Sequence, residues 1–360
     1  MTVSSEPVHK LSLLFVSTPV GPLGTGIGGG VELTILNSAK SLINRGHRVK
    51  IVVPKDSNVS NVEIVEIEGK TQNLLQNQTR ASPILMPADA VLAHMWDYVR
   101  SIHSKFDLIV NFAYDWLPFF LTPWLSTPII HWISMGSLTS AMDDIIQQVV
   151  NQFPHSIGVH TKAQANTFSF SENCYVLGNS IDLSLYQFND TPVSELCWIG
   201  RLASEKALED AVTAAQHAGL PLKIMGYLQD PSYFEKIRQN FSAVSIEYYG
   251  FLSTVEMQQK LRLCKGLLVT PRWVEAFGNV VIESLACGVP VIAYRRGGPA
   301  EIIRDGETGW LVEPDSIEDL VDAIHKLPEI NRLTCRKQAE LEYSLNSLGK
   351  RLESWFRKNL

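Results

Sequence analysis

The chain has 360 residues, 45% of them hydrophobic and 19% charged, which is enough apolar chain for a large core and about two domains. The net charge of −6 and the scattered basic residues indicate no general attraction to nucleic acid or to an anionic membrane. The five cysteines lack metal-ligand spacing and are predicted to be buried or free thiols in a reducing compartment. No apolar run is long enough for a signal peptide or a membrane span, so the sequence predicts a cytoplasmic protein.

Short apolar runs alternate with helical patterns along the chain. In the first half they predict buried strands at 11–18, 48–54, 106–113, 127–134, 156–161 and 174–179. In the second half they predict strands at 195–201, 221–226, 246–251, 266–271, 290–295 and 308–314. Between the first two strands lies a predicted helix, and Gly46 is its stop signal. Residues 55–90, rich in Asn, Gln, Pro and Ser, are predicted to be irregular.

Strands that alternate with helices twice over predict an α/β protein with two doubly wound parallel-sheet domains. The polar stretch 180–196 contains a proline and no clear periodicity, so we predict a domain boundary there. The predicted domains are 1–183 and 184–344, with a final helix over 345–360 that packs back on the first domain. Ligands of such folds bind beyond the carboxyl ends of the strands, so we expect a cleft lined by these loops.

A glycine-rich loop follows the first predicted strand. Gly24, Gly26 and Gly29 satisfy the spacing G-x-G-x-x-G. A dinucleotide-binding site also needs an acidic residue at the end of the second strand, and Asp56 lies beyond that end, so the match is poor. The adjacent glycines 28–30 offer backbone N–H groups and a helix dipole to an anion. The alternative is a mobile surface loop. We therefore predict an anion site that need not hold a dinucleotide.

The second predicted domain carries charged residues at two strand ends. Arg201 and Lys206, in "WIGRLASEK", suit a diphosphate, although either could be a solvated surface charge. Glu275 and Glu283 lie on either side of a helix start expected near Phe277. A carboxylate in the apolar run "VVIESLA" is costly to bury unless it is hydrogen-bonded, and sugar hydroxyls are natural partners. An exposed helix face is the alternative.

These segments resemble the E-x7-E region of the family 4 retaining glycosyltransferases of the GT-B fold. The segments "GGGVE", "GNSIDLSLY", "GRLASEK" and "GGPAEIIRDGETGWLV" resemble that family's other motifs, in the same order, over nearly the whole chain. The resemblance implies two Rossmann-like domains that face a cleft. It also implies transfer of a hexose from a nucleotide-sugar with retained anomeric configuration, without a bound metal or other cofactor.

The resemblance also implies roles for individual residues. Arg201, Lys206 and Glu275 would be catalytic, with the two cations gripping the diphosphate and Glu275 holding hexose hydroxyls. Glu283 would bind the ribose hydroxyls. The remaining donor contacts would come from Gly29, Gly30, Phe277, Gly278, Asn279 and Val280.

One departure from the family concerns its histidine after the fourth strand. Tyr114 and Asp115 stand near that position, Ser134 stands near the next polar position, and His131 is displaced along its strand. We interpret His131 as a buried structural residue. The departure does not demand a protein nucleophile, because the leaving diphosphate can accept the acceptor's proton on the same face of the sugar.

The first predicted domain also carries aromatic residues in its loops. The segments "NFAYDWLP" and "ISMGSL" resemble those of cyanobacterial enzymes that glucosylate tetrahydrobiopterin from UDP-glucose. A flat pterin would stack on aromatic rings and offer its amide edge to a carboxylate. The expected acceptor-binding residues are Glu32, Tyr114, Asp115, Trp116 and Ser134. A lipid or saccharide acceptor, a nucleotide-sugar epimerase and a non-catalytic sugar-nucleotide binder stay open as alternatives.

Overall fold

The computed structural model describes residues 10–26, 28–72, 78–241 and 245–360. Contacts divide the chain into two compact units. Unit 1 extends to His160 and also contains Ala165–Leu177 and Leu348–Leu360. Unit 2 contains Thr161–Gln164 and Gly178–Ser347.

Unit 1 is built on a seven-stranded parallel sheet with the order β3-β2-β1-β4-β5-β6-β7. The strands are β1 (Ser12–Val16), β2 (Arg48–Pro54), β3 (Glu63–Ile67), β4 (Leu108–Asn111), β5 (Ile129–Trp132), β6 (Ile157–Val159) and β7 (Tyr175–Val176). Its helices are α1 (Gly30–Asn44), α2 (Val91–Ile102), α3 (Trp116–Leu121) and α4 (Ser140–Gln152). The short helix α5 (Lys162–Ala165) follows β6.

Both faces of the first sheet are covered. Along β1, Leu13 and Phe15 pack in one core cluster with α1, whereas Leu14 and Val16 pack in another with α2. A strand that is buried on both faces reads as a continuous apolar run, which explains why its pattern was predictable. The cluster on the α1 side also contains buried residues from the end of the chain, namely Leu348, Leu352, Trp355 and Phe356.

Unit 2 is built on a six-stranded parallel sheet with the order β10-β9-β8-β11-β12-β13. The strands are β8 (Leu196–Ile199), β9 (Leu222–Met225), β10 (Ile246–Tyr248), β11 (Gly266–Val269), β12 (Val291–Tyr294) and β13 (Gly309–Val312). Its helices are α6 (Leu208–His217), α7 (Pro231–Asn240), α8 (Thr254–Leu261), α9 (Asn279–Ala286), α10 (Gly298–Ile302), α11 (Ile317–Lys326) and α12 (Arg332–Glu342). The last helix, α13 (Leu345–Phe356), belongs to unit 1 from Leu348 onward.

The predicted fold class is confirmed, since both sheets are parallel and doubly wound. In unit 1 the strand order reverses between β1 and β4, and in unit 2 it reverses between β8 and β11. Loops at the carboxyl ends of such strand pairs diverge and leave a crevice for a ligand. The loops after β1, β4, β8 and β11 are therefore where each unit can build a site.

The prediction that 55–90 is irregular was wrong for part of that stretch. Strand β3 pairs in parallel with β2, and Val65 lies opposite Val52. Glu63 and Glu66 interrupt its apolar pattern, as is usual for an edge strand. The cysteines are free thiols, as expected. Within the described ranges, the helices are all too short or too polar to cross a membrane.

Candidate active site

The glycine-rich loop after β1 closes around a side chain of the helix that it precedes. Glu32 accepts hydrogen bonds from the backbone N–H groups of Gly24 (2.8 Å), Gly26 (3.1 Å) and Gly28 (2.6 Å). Gly24 and Gly26 have φ values of 87° and 84°, which let the backbone N–H groups turn toward one anion. Only 6% of Glu32 is exposed. The loop is thus an anion site, and its anion belongs to the protein.

This geometry bears on the expectations for the loop. Both oxygens of Glu32 accept backbone N–H groups, so the contacts that the structure shows give Glu32 a structural role, and an acceptor contact there stays a prediction. The N–H group of Gly28 is used in the same way, and that of Gly29 donates to the Gly26 carbonyl oxygen at 3.1 Å. A ligand contact at Gly29 or Gly30 stays a prediction, and a Cβ atom built at Gly29 would meet no atom within 4 Å.

The other expected acceptor residues follow β4 and β5, which are neighbouring strands. Asp115 is the N-cap of α3 and accepts the Leu117 N–H at 3.2 Å. Burial raises the pKa of Asp115, and burial likewise raises the pKa of Tyr114. Trp116 is partly exposed and stacks on Phe120, with ring centroids 4.7 Å apart. The loop thus combines an aromatic surface with a buried carboxylate.

His160 also lies in this part of unit 1 and was not predicted from the sequence. It follows β6, and its Nε2 atom lies 3.3 Å from Ser134 Oγ. Its ring lies 5.4 Å from that of Trp132, the last residue of β5. The signal was present, since a histidine at the carboxyl end of a predicted parallel strand lies at the ligand-binding edge of the sheet.

His131 is a buried structural residue, as the sequence analysis interpreted it. Its Nδ1 atom lies 3.1 Å from the Asn111 amide nitrogen, and its Nε2 atom lies 2.9 Å from Thr122 Oγ1. Its ring stacks on Phe119 at 4.1 Å. Burial lowers the pKa of His131 to about 3, so the ring is neutral at physiological pH. This arrangement matches a ring that accepts at Nδ1 and donates at Nε2.

In unit 2, Arg201 and Lys206 lie in the loop after β8, and both are paired. One guanidinium nitrogen of Arg201 contacts Glu205 at 2.9 Å, and the other donates to the Gln229 side chain. Lys206 forms an ion pair with Glu275. The two cations predicted to grip a diphosphate are therefore in place, each beside a carboxylate of the chain.

Glu275 follows β11, and hydrogen bonds hold both its side chain and its backbone. Its carboxylate accepts from Lys206 and from the Trp273 indole N–H, the latter at 3.0 Å. Burial alone would raise the pKa of Glu275, but Lys206 and these bonds outweigh it, and the pKa is lowered. The Glu275 carbonyl oxygen accepts the Gly298 N–H at 2.7 Å. A Cβ atom at Gly297 would lie 2.6 Å from the Glu275 nitrogen, so the "GGPAE" motif supports the Glu275 loop.

Hydrogen bonds to backbone carbonyl oxygens join the loops after β8 and β11. Thr270 Oγ1 lies 3.1 Å from the Lys206 carbonyl oxygen and 2.9 Å from that of Ala207. The Arg272 N–H donates to the Glu205 carbonyl oxygen at 2.9 Å. These bonds join the loop that carries the cations to the loop that carries Glu275. Thr270, Arg272 and Trp273 were not predicted from the sequence as parts of the site.

Glu283 is buried on α9, and its Oε1 atom accepts the Tyr186 hydroxyl at 2.9 Å. Burial raises the pKa of Glu283, and the bond from Tyr186 opposes that rise. We expected sugar hydroxyls as the hydrogen-bond partners of Glu283, but one of its two carboxylate oxygens is bound by a hydroxyl of the protein.

The helix that carries Glu283 starts later than expected. Helix α9 begins at Asn279 rather than near Phe277, because Gly278, with φ of 95°, forms the N-cap. Phe277 packs in the core, so it can offer a ligand only its backbone. The Asn279 side chain accepts from Asn179 at 2.8 Å, and Val280 is partly buried. In the ranges that the structure describes, His, Cys, Asp and Glu form no group of three or more suited to a metal.

Known proteins resemble this chain in part of its sequence and in its fold. Residues 189–342 match the family described as "Glycosyl transferases group 1". The chain is 25% identical to D-inositol 3-phosphate glycosyltransferase of Mycobacteroides abscessus, over 90% of this chain and 83% of that protein. It is 34% identical to an uncharacterized glycosyltransferase of Methanocaldococcus jannaschii, but over only 39% of each chain.

Solved structures with the same fold include HepE of Anabaena in complex with UDP. The TM-score is 0.75 at 16% identity, covering 96% of this chain and 100% of that one. Sucrose-phosphate synthase of Thermosynechococcus elongatus gives a TM-score of 0.74 at 16% identity, covering 96% and 98% of the two chains. The family match covers residues 189–342, and the solved structures show the fold, two parallel-sheet α/β units as in the GT-B glycosyltransferases.

Proposed function

We propose that this protein is a retaining glycosyltransferase that moves glucose from UDP-glucose to tetrahydrobiopterin. The observation that carries the donor part of the proposal is the constellation of Arg201, Lys206 and Glu275 at the reversal of strand order in unit 2. Two cations beside a fixed carboxylate are what a sugar diphosphate needs, because one end of that ligand is anionic and the other end carries hydroxyls.

The cations act on the leaving group. As the bond between the anomeric carbon and the diphosphate breaks, negative charge grows on the phosphate oxygens. Arg201 offers a planar fork of N–H groups, and Lys206 offers a compact ammonium. Charge stabilisation that is already in position is the strongest single contribution that such a site makes to the rate.

Glu275 and Glu283 act on the rest of the donor. Glu275 has a lowered pKa, so it remains an acceptor for hexose hydroxyls at neutral pH. Glu283 accepts from Tyr186 through Oε1, and we assign its second oxygen, Oε2, to a ribose hydroxyl. The UDP part of the proposal is supported by the solved complexes of HepE with UDP and with UDP-glucose, in a protein of the same fold.

Retention follows from transfer on one face of the sugar. The bond from the anomeric carbon to the phosphate oxygen breaks, and a bond to the acceptor oxygen forms on the same face. The acceptor's proton passes to the departing phosphate oxygen, so no protein base or nucleophile is consumed. We also propose that no metal ion takes part, because Arg201 and Lys206 supply the positive charge that a metal would otherwise bring.

We assign the acceptor to unit 1, at the loops after β4 and β5. The partly exposed Trp116 offers a stacking surface for a flat ring, and the buried carboxylate of Asp115 offers an acceptor for ring N–H groups. Tyr114 and Ser134 complete the assignment. A second acceptor, inositol phosphate, is favoured by the similarity to D-inositol 3-phosphate glycosyltransferase.

The test is incubation with a panel of nucleotide-sugars and acceptors, followed by mass analysis of the products. We expect one hexose on tetrahydrobiopterin, formed fastest from UDP-glucose under anaerobic conditions. Glucosylation of inositol phosphate but not of the pterin would overturn the acceptor assignment and leave a transferase. Conversion of the nucleotide-sugar to an epimer in the absence of any acceptor would indicate an epimerase. No product from any pair, with sugar nucleotide bound, would indicate a non-catalytic binder.

A further inference from the structure

The cations proposed to hold the diphosphate both carry a carboxylate partner, but the two partners differ. Glu275 is held by Lys206 and by Trp273, and its backbone is held by Gly298. The Glu205 side chain contacts Arg201 at 2.9 Å, and 34% of it is exposed, against 19% for Glu275. Glu205 is thus the partner that can leave.

A diphosphate oxygen and the Glu205 carboxylate compete for the same donors. Arg201 donates through one nitrogen to Glu205 and through the other to the neutral Gln229. A phosphate and a carboxylate accept guanidinium N–H groups in the same planar geometry, so one excludes the other at that edge. The negative charges of the diphosphate and of the Glu205 carboxylate would also repel each other if both lay beside Arg201.

We propose that Glu205 is an internal competitor that occupies Arg201 in the empty site and is displaced by the diphosphate. This inference rests on the proposed function of the site. Its consequence is that Glu205 weakens the binding of UDP as well as that of the donor. After transfer, Glu205 takes Arg201 back and speeds the departure of UDP.

The local structure allows this exchange without loosening the loop. The Glu205 backbone carbonyl oxygen accepts the Arg272 N–H at 2.9 Å, and that bond does not depend on the side chain. Glu205 lies in the short helical turn Ser204–Lys206, one residue before Lys206. The carboxylate can therefore swing away while Lys206 and the turn stay in place.

The test is calorimetric titration of the wild-type protein and of Glu205→Gln with UDP and, separately, with inorganic pyrophosphate. We expect both probes to bind the variant about three- to fivefold more tightly, the range expected for removal of one partly exposed ion pair. The control is Glu235→Gln on α7, which removes an equal charge from an exposed glutamate that bonds only to Gln239 among the described contacts. The control is expected to bind both probes like the wild type.

A double-mutant cycle separates competition at Arg201 from general repulsion. Glu205→Gln in an Arg201→Gln background is expected to leave UDP affinity unchanged, because the contested guanidinium is gone. Product inhibition by UDP is expected to strengthen in the single variant by the same factor as binding. Thermal unfolding of each variant checks that the fold is intact, and Glu205→Ala provides a second variant with the same expected gain.

The outcomes distinguish this inference from the proposed function. If the wild type binds UDP but Glu205→Gln binds it equally or less tightly, Glu205 positions Arg201 for phosphate, and the inference is overturned alone. An equal gain with and without Arg201 would also overturn it, in favour of simple repulsion. If the folded wild type binds neither UDP nor pyrophosphate, both the inference and the proposed donor site are wrong.

Discussion

Two loops of the molecule bind a carboxylate of the chain itself at a strand-to-helix turn. They are the glycine loop of unit 1, after β1, and the cation loop of unit 2, after β8, which carries Arg201 and Lys206. In unit 1 the carboxylate of Glu32 is 6% exposed and bound by three backbone N–H groups. In unit 2 the carboxylates of Glu205 and Glu275 are bound by side-chain cations, and both are partly exposed.

The difference lies in what it costs to exchange the internal anion for a ligand. Removal of Glu32 would leave several backbone N–H groups unpaired, and such groups are costly when buried. Separation of a partly exposed ion pair costs little, because water solvates both partners. The unit 1 loop is therefore a closed structural motif, whereas the unit 2 loop can open to a phosphate.

The largest expected effect comes from removing the cations of unit 2. Arg201→Ala or Lys206→Ala is expected to slow transfer by a hundredfold or more, roughly 3 kcal/mol, because charge on the leaving diphosphate is no longer balanced. The measurement is steady-state transfer with saturating donor. The matched control is Arg295→Ala, which removes an exposed cation of unit 2 that pairs with Asp305. Turnover near that of the wild type in both variants would remove the donor-site assignment.

The counterpart in unit 1 is a change of stability rather than of donor binding. Glu32→Gln is expected to lower the free energy of unfolding by about 3 kcal/mol, because an amide turns a donor toward the glycine N–H groups. UDP affinity is expected to stay the same, since the cations and glutamates proposed to hold the donor lie in unit 2. Urea unfolding and UDP titration measure the two effects. Unchanged stability with weaker UDP binding would indicate that the glycine loop binds phosphate. The two loops would then not differ in the way described above.

A smaller effect is expected for the acceptor residue Asp115. Asp115→Asn keeps a good N-cap for α3, so the fold should be intact. It replaces a double acceptor by an amide that turns a donor toward the ring N–H groups, which costs roughly 1 to 3 kcal/mol of pterin binding. Separate anaerobic titrations with tetrahydrobiopterin and UDP-glucose check this expectation. Weaker donor binding with unchanged pterin binding would move Asp115 to the sugar site.

The pH dependence of pterin binding gives a second test of Asp115. Burial raises the pKa of this carboxyl, so it becomes protonated at a higher pH than an ordinary aspartate. A protonated carboxyl loses one acceptor, so pterin affinity should fall as the pH falls through that raised pKa. The fall should be absent in Asp115→Asn. A variant that retains the same pH profile would show that another group titrates.

The smallest expected effect is that of EDTA, which should leave transfer almost unchanged if Arg201 and Lys206 supply the positive charge at the diphosphate. The measurement is the transfer rate before and after chelation, with magnesium added back as the control. A complete loss that magnesium reverses would mean that a metal ion holds the diphosphate.

The sequence predicted most of the fold because buried parallel strands are short apolar runs, as in β1 and β8. It did not predict β3, because charged residues at an edge strand hide the apolar pattern. It predicted the buried role of His131 and singled out Arg201, Lys206 and Glu275. It could not predict that Glu32 bonds to Gly24 or that Trp273 bonds to Glu275, because such pairing depends on loop geometry rather than on residue spacing.

The central claim, retaining transfer to the pterin, is tested most directly by the anomeric configuration of the product. The measurement is the proton NMR spectrum of the glucoside formed from UDP-glucose and tetrahydrobiopterin, taken early enough to exclude slow rearrangement. UDP-glucose carries an α-linked glucose, so same-face transfer predicts an α-glucoside. A β-glucoside would contradict the account, because it requires attack from the opposite face and a protein base in place of the leaving diphosphate.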